Sequence, residues 1–333
     1  MPHIRRILVA VKDGASGACP AMSKAAHLAR ALGAELVLFQ AISAALQLPG
    51  DLAVRPDSFA FAARRGRDAC LEQLERIARR LRRAGLEVSV SAEWDFPAYE
   101  AVIREAARRR ADLIVAERHK GGHLAASLLH PTDWELLRRS PQPVLIVKRA
   151  GAYRRPVILA ALDPEHSYDK PARLDTDIAR IAAALAAVLG GQLHAVHAYG
   201  ALPATVFARG TVLSDEEVAR LESRAEAAAE GRLGRLLRKA RVSTPHLHVV
   251  GRHPADTIEE FARETGSAIV VMGAIARSGL KRLLIGNTAE KVLDRLPCDV
   301  LVVKPAGFKK AVPRSRRGAR YVSAPSTTTT GGV

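Results

Sequence analysis

The residues best suited to chemistry lie late in the chain, where glycine and polar residues follow an apolar run. Gly273 follows the run that ends at Met272, and Gly286, Asn287 and Thr288 stand together at the predicted start of a helix. A glycine at a strand end lets the backbone approach a ligand closely, and the free N–H groups of a helix N-terminus bind phosphate oxygens. The spacing therefore predicts an anion cradle, with a loop that only joins strand to helix as the alternative.

The chain contains an internal repeat, which decides how these residues are positioned. Residues 5–14 match residues 155–164, and residues 140–150 match residues 296–306. The first match places Asp13 opposite Asp163, each directly after an apolar run. A carboxylate there can contact a ligand at the carboxyl edge of a parallel sheet, or it can cap the following turn. Two halves with the same start and the same end are therefore predicted.

Each half alternates short β-branched runs with longer helical stretches. Strands are predicted at 7–11, 35–41, 87–92, 112–116 and 144–148, and again at 157–162, 192–198, 246–250, 268–272 and 300–304. Helices are predicted at 19–32, 60–84, 98–110 and 132–139, and again at 171–189, 215–240, 255–265 and 288–295. Strands that are apolar throughout belong to parallel sheets covered on both faces. The sequence therefore predicts an α/β fold of two tandem doubly wound five-stranded parallel-sheet domains, at 1–150 and 151–305.

The composition is that of a globular protein. Of the 333 residues, 48% are hydrophobic and 26% are charged, which argues against wholesale disorder. The three cysteines are far apart and form no CxxC pair, so neither a disulfide framework nor a zinc knuckle is predicted. The longest apolar run, residues 181–189, is too short to span a bilayer, and the N-terminus shows no export signal. A cytoplasmic location without membrane contact is therefore expected.

Basic charge is concentrated at the end of the chain. The net charge is +17, and six positive charges without any acid lie between Pro305 and Val333. Such a tail can bind nucleic acid by counterion release, but no aromatic platform or recognition helix accompanies it. The sequence therefore favours a solvated, disordered basic tail at 306–333, with nucleic-acid contact as the less favoured alternative.

Four histidines lie in two neighbouring predicted strands. His194 and His197 belong to one strand, and His246 and His248 belong to the next. Zinc needs a closed set of ligands or three ligands with an open position, and no local acid or cysteine completes one. A nucleophile elbow of the GxSxG type is also missing from the sequence. Structural histidines are therefore favoured, and neither a metal site nor a catalytic residue is predicted.

The segment from Met272 to Thr288, the aspartate after strand one and the VLVVKP end resemble the universal stress protein family. That family's nucleotide motif is Gly, two residues, Gly, nine residues, Gly, then Ser or Thr. Gly273 and Gly286 match it, whereas Ala276 replaces the second glycine and Asn287 replaces the Ser or Thr. The PTDW and GNTAE segments of the two halves resemble the tandem E-type members, and the resemblance covers residues 4–305. It also implies an adenine nucleotide alpha hydrolase-like fold.

The resemblance implies a site for ATP or another adenine nucleotide in the second half. Asp163 would lie near the ribose, Ala198 near the adenine and Met272 with Gly273 at the strand-four turn, while Ala276, Gly286, Asn287 and Thr288 would lie at the phosphates. The same alignment puts Arg118 and His130 in the places of Gly273 and Gly286, so the first half is expected to have lost its site. Its basic loop could bind another anion, although a solvated loop is favoured.

The resemblance also implies a function, that of a cytoplasmic stress-response protein without an established reaction. We expect a non-enzymatic binding and signalling protein whose two halves pair through VLIVK and VLVVK, and which could form a homodimer. One alternative is a slow nucleotide hydrolase that uses Asp163, with Arg277 and Lys281 as phosphate clamps. The other alternative is a carrier of a lipid or another small molecule.

Overall fold

The computed structural model describes residues 4–12, 19–43, 46–48, 56–118, 132–165, 172–200, 214–274, 293, 295–308 and 312–323. The first half contains strands β1 Arg6–Ala10, β2 Glu35–Ile42, β3 Leu46–Leu48, β4 Val88–Trp94, β5 Leu113–Glu117 and β6 Val144–Val147. The second half contains β7 Val157–Ala161, β8 Gln192–Ala198, β9 His246–Val250, β10 Ile269–Gly273 and β11 Asp299–Val303, and β12 Tyr321–Ser323 follows. All ten predicted strands are confirmed, and β3 and β12 are additional.

Helices connect the strands, as the alternating pattern predicted. They are α1 Pro20–Leu32, α2 Pro56–Arg83, α3 Ala98–Arg109, α4 Thr132–Arg139, α5 Ala172–Val188, α6 Asp215–Ala240 and α7 Pro254–Glu264. The helix expected at 288–295 falls almost entirely outside the described residues. Ser214 and Glu217 form a capping box at the start of α6, which explains why the predicted start of this helix is confirmed. No helix in the described ranges combines the length and the apolar character needed to cross a membrane.

The two halves form one continuous sheet of ten strands, in the order β4-β2-β1-β5-β6-β11-β10-β7-β8-β9. Strands within each half are parallel, whereas β6 and β11 pair antiparallel, with Leu145 opposite Leu301. The predicted pairing of VLIVK with VLVVK is therefore confirmed. Both last strands are used inside the chain, so a homodimer would have to form through other surfaces.

Alternate residues of the central strands pack into two separate layers. Ile7, Val9, Ile158 and Ala160 share one layer with α1, α2, α5 and α6. Leu8 and Leu159 share the other layer with α3, α4 and α7. Each layer extends across both halves, which is what a doubly wound sheet with an uninterrupted centre requires.

A buried ion pair ties the halves together. The Lys24 ammonium in α1 lies 3.2 Å from an Asp299 carboxylate oxygen in β11, and both side chains are almost fully buried. The Tyr153 hydroxyl donates to the same carboxylate at 2.7 Å, and the backbone N–H of Lys148 donates at 2.8 Å. A buried charge needs such a set of partners, because desolvation is otherwise too costly. Asp299 therefore acts as a central anchor that no local sequence pattern indicated.

The C-terminal segment differs from the disordered tail that the sequence predicted. Val312 is buried, and β12 pairs in parallel with β3, with Tyr321 opposite Leu46. Arg316 and Arg317 form ion pairs with carboxylates of the first half. The segment has no periodic apolar face, and it is held by charges and a short strand pairing instead. Residues 309–311 and 324–333 lie outside the described part of the chain.

Candidate functional site

Two predicted site residues, Asp163 and Ala198, lie at the same edge of the sheet. The register pairs Ala161 of β7 with Val196 of β8, so two further residues along each strand bring Asp163 beside Ala198. The N–H of Leu162 donates to the Val196 carbonyl at 2.9 Å, which shows that the ladder continues past the end of β7. Both residues are half-buried. The pair that the sequence assigned to ribose and base is thus brought together.

Met272 and Gly273 end β10, the neighbour of β7 on the other side. Met272 is buried and Gly273 is half-buried. The chain continues from β7 to its neighbour β8 and from β10 to its neighbour β11, in opposite directions along the sheet. A topological switch point therefore lies between β7 and β10. In open parallel sheets, ligands bind outside the carboxyl ends of the strands at this point. All four described site residues therefore surround one strand end.

Gly273 itself does not turn away from the sheet. It pairs with Val303, and the N–H of Ala274 still donates to the Val303 carbonyl at 3.1 Å. The turn that the sequence predicted at Gly273 therefore does not begin at that residue. Ala276, Gly286, Asn287 and Thr288 fall outside the described residues, as do Arg277 and Lys281. The phosphate side of the site stays a prediction.

Asp163 is held in place by a residue that the sequence reasoning missed. Its backbone N–H donates to an Asp175 carboxylate oxygen at 3.0 Å, and Asp175 is fully buried in the first turn of α5. A carboxylate is favourable there because the N-terminus of a helix carries partial positive charge. An acid in the first turn of a predicted helix was the available signal.

The comparisons with known proteins show the family to which the chain belongs. The model of the Universal stress protein family matches residues 3–148 and 168–304. The chain belongs to the universal stress protein family. Universal stress protein E of Escherichia coli K12 is 29% identical over 69% of this chain and 72% of its own length.

Two solved structures are similar to this chain over nearly its whole length. A functionally unknown protein from Pseudomonas aeruginosa PAO1 is 27% identical, with a TM-score of 0.68 over 92% of this chain and 95% of its own. A universal stress protein from Archaeoglobus fulgidus has a TM-score of 0.60 at 17% identity, over 93% of this chain and 100% of its own. Both tandem domains therefore have the fold of the family.

The strand pairing corrects the alignment of strand four between the halves. Glu117 pairs with Val147 in the first half, and Gly273 pairs with Val303 in the second. Since VLIVK and VLVVK match, Glu117 is the counterpart of Gly273. Arg118, which the sequence placed opposite Gly273, is instead the counterpart of Ala274, and its N–H donates to the Val147 carbonyl at 3.0 Å.

The same register corrects the counterpart of Asp163. Ile7 pairs with Leu113 as Ile158 pairs with Ile269, so Ile7 and Ile158 are equivalent. Five residues further on, Lys12 is the counterpart of Asp163, whereas the sequence match gave that role to Asp13. Asp13 lies outside the described residues. The two halves of this universal stress protein thus carry opposite charges at one site position.

Two side chains of the first half form hydrogen bonds at the carboxyl ends of β1 and β5. The Lys12 ammonium donates to the Arg118 carbonyl at 2.8 Å, and the Cys19 thiol donates to the Glu117 carboxylate at 3.1 Å. Burial, followed by the hydrogen bond to Glu117, raises the pKa of Cys19 to about 11. His119, Lys120, His123 and His130 of the basic loop lie outside the described residues.

Next to Asp163, the second half carries a buried histidine within an ion-pair cluster. His197 is 1% exposed, its Nδ1 lies 3.1 Å from the Leu162 carbonyl oxygen and its Nε2 lies 3.8 Å from Glu165. Arg232 of α6 donates to the same Glu165 oxygen. Burial lowers the pKa of His197, while the Leu162 carbonyl and the charge of Glu165 oppose that shift. A neutral ring that donates from Nδ1 leaves Nε2 as an acceptor.

The predicted histidine cluster lies near the start of β8. His194 Nδ1 is 3.0 Å from His248 Nε2, and the rings of His194 and His246 stack at 4.2 Å between centroids. Burial, followed by the charges of His246 and His248, lowers the pKa of His194 to about 4. Within the described ranges, no group of three or more His, Cys, Asp or Glu is arranged to hold a metal ion.

Proposed function

We propose that this universal stress protein is a cytoplasmic, non-enzymatic stress-response protein that binds one adenine nucleotide per chain, in its second half. The observation that carries the proposal is the convergence of Asp163, Ala198 and Gly273 around the end of β7. A carboxylate accepts hydrogen bonds from ribose hydroxyls, and the small residues leave room for a base and for phosphates close to the backbone.

The comparison of the halves supports one site rather than two. The first half has Lys12 for Asp163 and Glu117 for Gly273, so an ammonium replaces the proposed ribose acceptor and a carboxylate replaces a glycine. A carboxylate repels phosphate oxygens and fills the space that the glycine leaves. The proposed domains keep the boundaries predicted from the sequence, at 150 and 305.

Calorimetry of the full chain with ATP tests the site, after native mass spectrometry has shown whether a ligand co-purifies. We expect a stoichiometry near one. Gly273→Glu, which introduces the first-half residue, should abolish binding, whereas the matched change Glu117→Gly should leave the stoichiometry at one. A stoichiometry near two, or full binding by Gly273→Glu, would contradict the assignment.

The same samples separate binding from the two alternatives. A binding protein returns ATP intact after hours of incubation, whereas a slow hydrolase releases ADP in proportion to the protein concentration. A carrier would instead release a co-purified lipid or other small molecule in native mass spectrometry and would show no heat with ATP. If the wild-type chain releases ADP and Asp163→Asn does not, the proposed function is wrong and the chain is a hydrolase.

A further inference from the structure

Three carboxylates of the first half receive the C-terminal segment. We call Glu93, Asp95 and Glu100 the acidic cleft; they lie at the end of β4 and in the first turn of α3. The Arg316 guanidinium lies 2.8 Å from Glu93, and that of Arg317 lies 3.2 Å from Glu100. The backbone N–H of Arg317 donates to Asp95 at 2.9 Å. Side chains and backbone of the segment are thus both engaged.

The acidic cleft needs cations from outside itself. Asp95 is fully buried and Glu100 is 4% exposed. Arg104 supplies one guanidinium, which pairs with Asp95 and lies 3.6 Å from Glu100. Arg139 also acts on Glu100, whereas Glu93 pairs with Arg316 of the C-terminal segment. Buried charges without partners are costly. Arg316 and Arg317 thus bring two further guanidinium groups to Glu93 and Glu100.

Backbone and aromatic contacts extend the interaction beyond charge. The Arg320 guanidinium lies 3.6 Å from the centroid of the Phe96 ring and donates to the Ser43 carbonyl at 2.9 Å. Arg104 donates to the Pro313 carbonyl at 2.9 Å. Residues 321–323 then pair in parallel with β3. Strand addition to an exposed strand, together with pockets for individual side chains, is a recurring way to bind an extended peptide.

In the described part of the second half, the positions that correspond to the acidic cleft are not acidic. Pro97 and Pro254 each precede an alanine at a helix start, which aligns α3 with α7. The counterparts of Glu93, Asp95 and Glu100 are then Val250, Arg252 and Thr257. Arg252 is itself basic and forms an ion pair with Glu260 at 2.8 Å. These three positions therefore attract a basic segment in the first half and not in the second.

We propose that the acidic cleft, Phe96 and β3 form a recognition site for an arginine-rich extended peptide, and that residues 312–323 are its resident occupant. The occupant exchanges with a peptide of the same chemistry supplied in trans. The site lies at the carboxyl end of β4, on the same edge of the sheet as Lys12 and Glu117. The first half thus binds a peptide at the sheet edge that binds a small ligand in the second half; this contrast rests on the proposed function, whereas the peptide site itself does not.

The test uses the full chain with its own segment released. Arg316→Glu, Arg317→Glu and Arg320→Glu are combined, and a fluorescent peptide of residues 312–323 is titrated into this variant and into the wild-type chain. We expect saturable binding to the released variant, weakened when salt is raised because the arginine contacts are partly exposed. Binding to the wild-type chain should be at least about tenfold weaker, because the tethered segment competes at an effective concentration of about 1 mM.

Two changes at half-buried positions of the released chain keep the test informative if variants of the fully buried Asp95 fail to fold. Glu93→Gln and Phe96→Leu should each weaken the peptide several-fold, whereas Arg252→Ala in the second half should not. A peptide carrying Arg317→Glu should bind more weakly than the wild-type peptide. The proposal is overturned if the released chain shows no saturable binding, if the wild-type chain binds equally well, or if an arginine-free peptide binds as tightly. None of these outcomes depends on ATP, so failure here and failure of the nucleotide site are distinguishable.

Discussion

Lys12 in the first half occupies the position that Asp163 occupies in the second, and the two side chains carry opposite charges. The Lys12 ammonium donates a hydrogen bond to the Arg118 carbonyl at the end of β5. The Asp163 backbone N–H instead donates to a buried carboxylate of α5. The tandem repeat has therefore kept one architecture and given its two strand-end sites different electrostatics. A single chain with two unlike sites can respond to two unlike ligands.

This relationship predicts an asymmetric effect of charge exchange on ATP binding. Asp163→Lys removes a ribose acceptor and should cost about 1.5–3 kcal/mol, which is about tenfold or more in the dissociation constant. Lys12→Asp should leave ATP affinity unchanged because Glu117 still occupies its site. Isothermal titration of both variants is the measurement. Equal losses in the two variants would show that the nucleotide is not confined to the second half.

The buried pair between Lys24 and Asp299 makes a second prediction, on stability. Asp299→Ala leaves the Lys24 ammonium buried without its partner and should lower the free energy of unfolding by about 3–5 kcal/mol. The double variant Lys24→Met with Asp299→Asn should lose less, because no charge is left unpaired. Urea unfolding of the full chain measures both.

An exposed pair provides the control for that measurement. Glu216 and Arg220 lie 2.5 Å apart on the surface of α6 with most of each side chain exposed. Glu216→Gln should change the free energy of unfolding by no more than about 0.5 kcal/mol. A loss of similar size in Asp299→Ala would mean that the central ion pair does not hold the halves together.

The histidine cluster predicts a loss of stability in mild acid. The pKa of His194 is about 4 in the folded chain, against about 6.5 for an unperturbed histidine. The unfolded chain therefore binds a proton first, so stability present above pH 6.5 falls as the pH drops from 6.5 towards 4. His246 and His248 face the ring, and Glu264 acts on His248 in the opposite direction.

Urea midpoints at pH 7.5 and pH 5.5 test this dependence. Both values lie above the ordinary range of carboxylate titration, so the difference reports mainly on histidines. His194→Gln should flatten the change between the two pH values, whereas His253→Gln, which alters an exposed histidine at the start of α7, should not. If the difference between the two midpoints is the same in His194→Gln as in the wild-type chain, His194 is not the source of the pH dependence.

Local patterns predicted the strands well because each central strand is a short, fully buried apolar run such as Ile7–Val9. The alignment of the halves by sequence identity was shifted by one residue, since it matched Asp13 with Asp163, whereas burial matches Ile7 with Ile158. The contacts between Arg317 and Glu100 and between Lys24 and Asp299 join residues more than 200 positions apart. No periodicity within a window of sequence reports on such pairs, which is why the docked segment and the central anchor were missed.

Cys19 gives the last prediction, which concerns thiol reactivity. Its pKa of about 11 reflects burial first and the hydrogen bond to Glu117 second, so at pH 8 almost none of it is thiolate. Iodoacetamide should therefore modify Cys19 slowly in the folded chain and rapidly in urea.

Glu117→Gln removes the negative charge and its acceptor strength, which should lower the pKa of Cys19 and increase the alkylation rate. Cys298 is the internal control, because burial raises its pKa to about 11 as well, and Glu117 is not among the groups that shift it. Peptide mass spectrometry at timed intervals follows both thiols in one sample. Equal acceleration of Cys19 and Cys298 in Glu117→Gln would indicate general loosening of the fold, and acceleration of Cys19 alone would confirm that Glu117 contributes to the raised pKa of Cys19.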